Sequence, residues 1–325
     1  MEYAGFNMTN RLIAAPMAGV SDRPFRQLCR ALGAGLSVSE MVASNPRTVG
    51  TRKSRLRLDH SGEPSPRIVQ IAGGCPVDMA EAARRNVDAG ADIIDINMGC
   101  PAKKVCRKAA GSALLENEPL VGRILEAVVR AVDVPVTLKT RTGPDEDRRN
   151  CLRIAALAEA CGIAVLTLHG RTRAQRFEGR AEHHSIRGIR AQCRLPLIAN
   201  GDIDSPESAA RVLAESGANG LMIGRAACRR PWLFREIQHF LDTGRHLPPP
   251  TLDEEYELLA GLLEQIHDFY GERDGVRMAR KHLNWYFERV PDAAALRPDI
   301  MQAESSARQR HLFLRTFDLR ARAAA

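Results

Sequence analysis

Cys100 lies in the run Asn97-Met98-Gly99-Cys100-Pro101, and Lys103, Lys104, Arg107 and Lys108 follow closely. Positive surroundings make a thiol more acidic and fit it to act as a proton donor or a nucleophile. The other cysteines, at 29, 75, 106, 151, 161, 193 and 228, lack that setting and read as small core fillers. None forms a CxxC pair, and no zinc spacing is present. Lys139 closes an apolar run. A lysine so placed is either a Schiff-base nucleophile or a cation facing an anionic ligand such as a reduced flavin, and the residues leave the two equal. His169, ahead of Gly170 and Arg171, suits a hydrogen bond to a ligand more than a place in the core. Gln70 sits inside an apolar run, where its carboxamide is costly unless it meets a polar partner such as a heterocyclic amide edge. Asn200-Gly201-Asp202 and Gly224-Arg225 pair polar side chains with glycine, which lets backbone amides approach a phosphate.

Positioning these residues together requires a repeated scaffold. Short apolar runs recur at the pitch of βα units: Leu12–Ala15, Leu36–Val38, Ile68–Ile71, Ile93–Ile96, Val136–Leu138, Val165–Leu168, Leu197–Ala199 and Leu221–Ile223. Between them lie helical patterns at Pro24–Leu32, Val77–Ala89, Pro119–Val132, Arg149–Cys161 and Pro206–Ser216. Gly33, Gly90, Gly162 and Gly217 end four of these in the manner of left-handed caps. Every run leads into polar or glycine residues at its carboxyl end, as one barrel face carrying a site would produce. The chain is therefore α/β, a (β/α)8 TIM barrel, with an open doubly wound sheet as the alternative. After Ile223 the pattern changes. A helix opens at Pro231-Trp232, Pro248-Pro249-Pro250 marks a stiff linker, and Leu252–Tyr270, Arg277–Arg289 and Ser305–Ala325 are amphipathic. The expected division is a barrel domain over 1–245 and a small all-helical domain over 251–325.

Composition narrows the setting. Hydrophobic residues make up 44% and aromatics 5%, a core built of Ala, Leu, Ile and Val. No run is long enough to cross a bilayer and the first residues lack a secretory layout, so a cytoplasmic protein is expected. The net charge of +8 favours a polyanionic partner. It gathers at Lys103, Lys104, Arg107 and Lys108, at Arg277, Arg280, Lys281 and Arg289, and at Arg308, Arg310, Arg315, Arg320 and Arg322. Solvated helix faces explain any single cluster equally well.

Taken together, the stretches AAPMAGVSDRPFR (14–26), VSEM (38–41), VQIAG (69–73), DINMGCPAKKV (95–105), VPVTLKTRTG (134–143), LHGRTR (168–173), IANGDI (198–203) and LMIGRAA (221–227) resemble the tRNA-dihydrouridine synthase family, most closely its B-type bacterial branch. RPWLFREIQHFLDTG (230–244) and ARKHLNWY (279–286) carry the resemblance into the helical part. It implies FMN in the barrel mouth, NADPH as reductant, and a uridine flipped out of the tRNA D-loop, position 17 for the B type. The flavin N5 hydride would pass to C6, and Cys100 would protonate C5. Asn97 and Arg141 would hold the uracil. Pro16, Met17, Ala18 and Gln70 would line the flavin, with Lys139 at its N1 and O2 edge and His169 close by. Asn200, Gly201, Asp202, Gly224 and Arg225 would hold ribityl and phosphate, and no metal is implied. The helical domain and the Lys103, Lys104, Arg107, Lys108 loop would grip tRNA, with the enzyme a monomer. Cys106 and Pro144 depart from the family's usual residues.

Other readings are a flavin barrel acting on a small pyrimidine or enone, a Schiff-base aldolase, and a non-catalytic RNA-binding protein. The first leaves the basic helical part unexplained, the second leaves Gln70 and the NMGCP turn without a role, and the third leaves an intact Cys100 unexplained.

Overall fold

A computed structural model describes residues 1–46, 50–107, 109–290 and 295–324. Within them the eight apolar runs form parallel strands in chain order around a barrel. Successive strands pair from Ile68–Ala72 through Ile93–Asn97, Val136–Arg141, Val165–His169, Leu197–Asn200 and Gly220–Ile223 to Leu12–Ala14, which pairs Leu36–Ser37. The seam between the second and third strands closes through a parallel bridge from Val38 to Ile68. The second strand then breaks and resumes at Val42–Ala43, beside Ile71 and Ala72. Ser39 accounts for the break, since its hydroxyl accepts the backbone N–H of Gln70 in place of a strand carbonyl.

The helices that separate the strands pack outside, and their ends follow local chemistry. Asp22 caps Arg23–Ala31, and a reciprocal Ser205/Ser208 cap opens Pro206–Ser216. Gly33, Gly90, Gly162 and Gly217 all carry positive φ, as expected. The amino end of the barrel is floored by a hairpin, Glu2–Tyr3 with Phe6–Asn7, turning through Ala4 and Gly5, both at positive φ. Tyr3, Met8, Ile13, Leu36, Ile68, Ile93, Val165 and Ile198 join in the core above that floor. This hairpin, the helix His184–Arg190 and the short turns Arg52–Arg57 and Gly111–Glu116 carry no apolar periodicity and are not legible from pattern.

The described chain divides into two compact units, Met1–Gly224 with Trp232–Thr243, and Arg225–Pro231 with Gly244–Ala325. The second unit is helical: Arg225–Arg229, Leu252–Tyr270, Glu272–Arg289, Arg297–Gln302 and Ser306–Ala324. Thr251 and Glu254 cap the first long helix reciprocally, and Gly271 at φ 79° turns the chain into the next. That next helix begins at Glu272, earlier than the expected Arg277, because Glu272 and Asp274 suit a first turn. Tyr286, Phe313 and Phe317 stack within this unit. Two arginines counted among the surface basic clusters face inward instead. Arg289 and Arg320 both pair with buried Glu255, and Arg320 also donates to the Tyr286 hydroxyl at 2.7 Å. Among the described residues, no helix is long and apolar enough to cross a membrane.

Candidate active site

The ladder register brings the expected site residues to one level at the carboxyl ends of the strands. Asn97 pairs with Lys139, Arg141 with His169, His169 with Asn200, and Asn200 with Met222. Lys139 and His169 meet at Asn200, whose Oδ1 accepts from Lys139 Nζ and from His169 Nδ1 at 2.9 Å each. Nδ2 of Asn200 donates to the carbonyl of Met222 at 2.7 Å, so its oxygen must be the acceptor. Nδ1 of His169 therefore carries the proton. Burial first, then the charges of Lys139 and Arg141, push His169 well below its ordinary pKa and keep it neutral. Its Nε2 is left a buried acceptor without a partner among the described residues. Burial likewise pushes Lys139 down to about 8, helped by Arg141 and opposed by Asp95 and Cys100.

Gln70, Asn97 and the Cys100 turn form a second group. Asn97 Nδ2 donates to Gln70 Oε1 at 2.8 Å, while Asn97 Oδ1 accepts the backbone N–H of Gly99 and Cys100 at 3.2 and 3.0 Å. Ser112 Oγ donates to the Cys100 carbonyl at 2.9 Å, and Cys106 Sγ lies 3.6 Å from the same oxygen. Arg141 Nε donates to the Gly99 carbonyl at 2.6 Å and Nη1 to Thr172 and Arg176, bridging the Cys100 turn to the loop after the sixth strand.

The expectation of an acidified Cys100 is overturned. Burial is the largest influence and raises its pKa, outweighing the backbone N–H of Ala102 and the charges of Arg141 and Lys139. The basic neighbours Lys103, Lys104 and Arg107 point to solvent, where water screens them, and Lys108 lies outside the described residues. A thiol that keeps its proton is a donor of protons rather than a resting nucleophile.

Pro16, Met17 and Ala18 form the turn after the first strand, where Ser21 Oγ accepts from Met17 N–H and donates to Ala15. A Cβ on Gly224 would lie 3.5 Å from Met17 Sδ, so the two turns adjoin. Arg225 opens the helix Arg225–Arg229 of the second unit. Asp202 engages both carboxylate oxygens with the buried Arg171, at 2.9 and 2.6 Å, and one also with the Ala181 N–H. Its carboxylate is thereby tied to the loop after the sixth strand. Gly201 has a reason of its own, since at φ 121° a Cβ would stand 2.7 Å from that of Ala181.

Four residues of this region escaped sequence reasoning. Arg171 also donates to the carbonyls of Glu178 and Gly179 and so clamps the loop beyond it. That loop presents Phe177, 53% exposed, edge-on to His169 at 6.4 Å and 5.4 Å from the Arg141 guanidinium carbon. Asp95 and Thr137 lie below the mouth, bonded to each other at 2.7 Å. The signal for Asp95 was a charged residue in the middle of an apolar strand.

Residues 12–322 match the dihydrouridine synthase family. The chain belongs to that family. The tRNA-dihydrouridine synthase B of Pseudomonas aeruginosa is 61% identical over 292 residues, covering 90% of this chain and 88% of the relative. That of Xanthomonas campestris pv. campestris is 57% identical over 318 residues, 98% and 96% of the two. That of Salmonella typhimurium is 60% identical over 293 residues, 90% and 91%. Dihydrouridine synthases are oxidoreductases, and this chain is an enzyme of that class. The structure of a 2-naphthoyl-CoA reductase complex shares the fold, with a TM-score of 0.58 at 13% identity, over 74% of this chain and 51% of that one.

The residues of the mouth fit FMN. The orphaned Nε2 of His169 is an acceptor awaiting a hydroxyl, as a ribityl chain carries. Beside it stands a half-buried cation, Lys139, whose lowered pKa marks an unmet need for negative charge.

Proposed function

We propose that this chain is an FMN-dependent, NADPH-driven tRNA-dihydrouridine synthase that reduces the C5–C6 bond of a D-loop uridine, position 17, with Cys100 as the proton donor. Relatives at 57–61% identity that carry the name tRNA-dihydrouridine synthase B support the substrate class. The observation that carries the chemistry is the Cys100 thiol, kept protonated by burial on a turn tied to Asn97 and Arg141.

When bound, FMN supplies a hydride to C6 of the uracil. Asn97 and Arg141 orient the uracil, and Cys100 Sγ delivers its proton to C5. Lys139 opposes negative charge at the cofactor's N1 and O2 edge, and His169 Nε2 accepts from a ribityl hydroxyl. Pro16, Met17, Ala18 and Gln70 form the wall against the ring. Asn200, the Gly201-Asp202 backbone, Gly224 and Arg225 hold ribityl and phosphate. Family membership leaves no role for a Schiff base on Lys139. The barrel, 1–245, is the catalytic domain. The helical domain, 251–325, and the exposed Lys103, Lys104 and Arg107 bind tRNA phosphates, in a monomeric cytoplasmic enzyme.

The test is anaerobic. The purified yellow protein is reduced, unmodified tRNA is added, and flavin absorbance is followed. Rapid reoxidation with dihydrouridine appearing in the tRNA is expected. A flavin that stays reduced with tRNA, yet is reoxidised by a small pyrimidine or enone, would displace this reading.

A further inference from the structure

Below the mouth, a line of polar side chains crosses the barrel interior where such folds hold layers of branched apolar residues. Thr137 Oγ1 donates to Asp95 Oδ1 at 2.7 Å, and Gln70 Nε2 donates to Asp95 Oδ2 at 2.7 Å. Gln70 Oε1 accepts from Asn97 Nδ2 at 2.8 Å, and Asn97 Oδ1 accepts from the backbone of Gly99 and Cys100. Asp95 is 1% exposed and cannot itself reach a ligand in the mouth.

The donors and acceptors in this line have one sense only. An ionised carboxylate accepts and never donates, so Gln70 must turn its NH2 toward Asp95 and its oxygen away. That oxygen can receive only the NH2 of Asn97, which leaves the Asn97 oxygen for the two backbone N–H groups. A carboxamide rotated by half a turn anywhere in the line would set oxygen against oxygen or N–H against N–H. Carboxamides have no such preference of their own, because their two ends are nearly the same size. The acceptor-only carboxylate at the buried end and the donor-only backbone N–H groups of Gly99 and Cys100 at the other end supply it together.

We propose that Asp95 is a positioning residue, which locks the carboxamides of Gln70 and Asn97 in one sense and thereby holds the turn that presents Cys100. Its consequence for tRNA reduction rests on the function proposed above. Its consequence for the turn does not.

The test reads the Cys100 thiol directly. Alkylation of Cys100 by iodoacetamide is timed by peptide-resolved mass spectrometry in the full-length protein as purified, for wild type, Asp95→Val, Asp95→Asn and Thr137→Val. Asp95→Val leaves Gln70 Nε2 and Thr137 without their partner. It should speed alkylation about tenfold, the scale of one buried hydrogen-bond group left unpaired. On tRNA it should lower kcat with KM unchanged. Asp95→Asn can still offer an oxygen to Gln70, with Thr137 turning to accept, so it should restore the wild-type alkylation rate to within about twofold. Thr137→Val removes one of the two bonds that seat Asp95 and should give an intermediate rate. It carries the test if Asp95→Val does not fold.

An Asp95→Val or Thr137→Val protein alkylated at the wild-type rate would overturn the proposal. So would an Asp95→Asn protein as reactive as Asp95→Val, since charge and not bond direction would then be at work. A wild-type enzyme that leaves tRNA unreduced would count against the proposed function alone.

Discussion

Lys139 and His169 converge on one oxygen, Oδ1 of Asn200, each donating to it from 2.9 Å. A cation and an imidazole so close compete for protons. Burial and the charges of Lys139 and Arg141 settle the contest against the imidazole, and the shared acceptor fixes which of its nitrogens carries the one proton left. Lys139 keeps the charge, and His169 stays neutral with its proton on Nδ1 and its buried Nε2 without a hydrogen-bond partner among the described residues. Asn200 thus orients two neighbours at once at the carboxyl ends of the strands.

Asn200→Ala removes that acceptor and leaves two buried donors to reorient. FMN affinity should fall by about 1–3 kcal/mol, the cost of a buried polar group left unmet. Quenching of flavin fluorescence on titration measures it. An unchanged dissociation constant would mean that neither Lys139 nor His169 is held for the cofactor.

Lys139 releases its proton at about 8 in the ligand-free protein, against 10.5 for a free lysine. A ligand that sets negative charge beside it raises that value, so the complex holds the proton more tightly than the free protein. Binding then takes up a proton above pH 8, and affinity for FMN falls as pH rises through about 8, by at most about tenfold per pH unit. Lys139→Met should bind more weakly near neutrality and show no slope in that range. A wild-type affinity that stays flat through the same range would separate Lys139 from the anionic part of the cofactor.

Cys100→Ala should keep bound FMN and oxidise NADPH, yet lose about 10²–10⁴ in turnover on tRNA, as for loss of a positioned general acid. Flavin reduction and dihydrouridine formation are measured separately on the same preparation. Loss of flavin from this variant would make Cys100 a structural residue.

Arg277 and Arg315 lie exposed on the long helices of the second unit, unlike Arg289 and Arg320. Reversing both to Glu should weaken tRNA binding and lower its salt dependence by about two phosphate contacts, with the flavin spectrum unchanged. The corresponding Arg320→Glu change should instead unfold the second unit, because it sets a second carboxylate against buried Glu255. Filter binding across a salt series and thermal denaturation distinguish the two effects.

The eight strands, five of the outer helices between them and the level at which the site sits were legible from periodicity and from the polar tails that follow each apolar run. These depend on local spacing, which one sequence displays in full. The state of Cys100 was not legible, because a thiol's acidity is a balance between burial and distant charge, and neighbours in sequence said nothing about burial. Nor were the inward course of Arg289 and Arg320, the clamp of Arg171 on Asp202, or the line from Thr137 through Asp95 to Cys100. Each joins residues far apart in the chain, from Arg171 and Asp202 at 31 positions, through Thr137 and Asp95 at 42, to Arg320 and Glu255 at 65. The order of residues determined which groups stand at the mouth. Only the closed barrel decided which hydrogen bonds they make there, since burial removes water as the alternative partner and leaves each donor only the protein acceptors within reach.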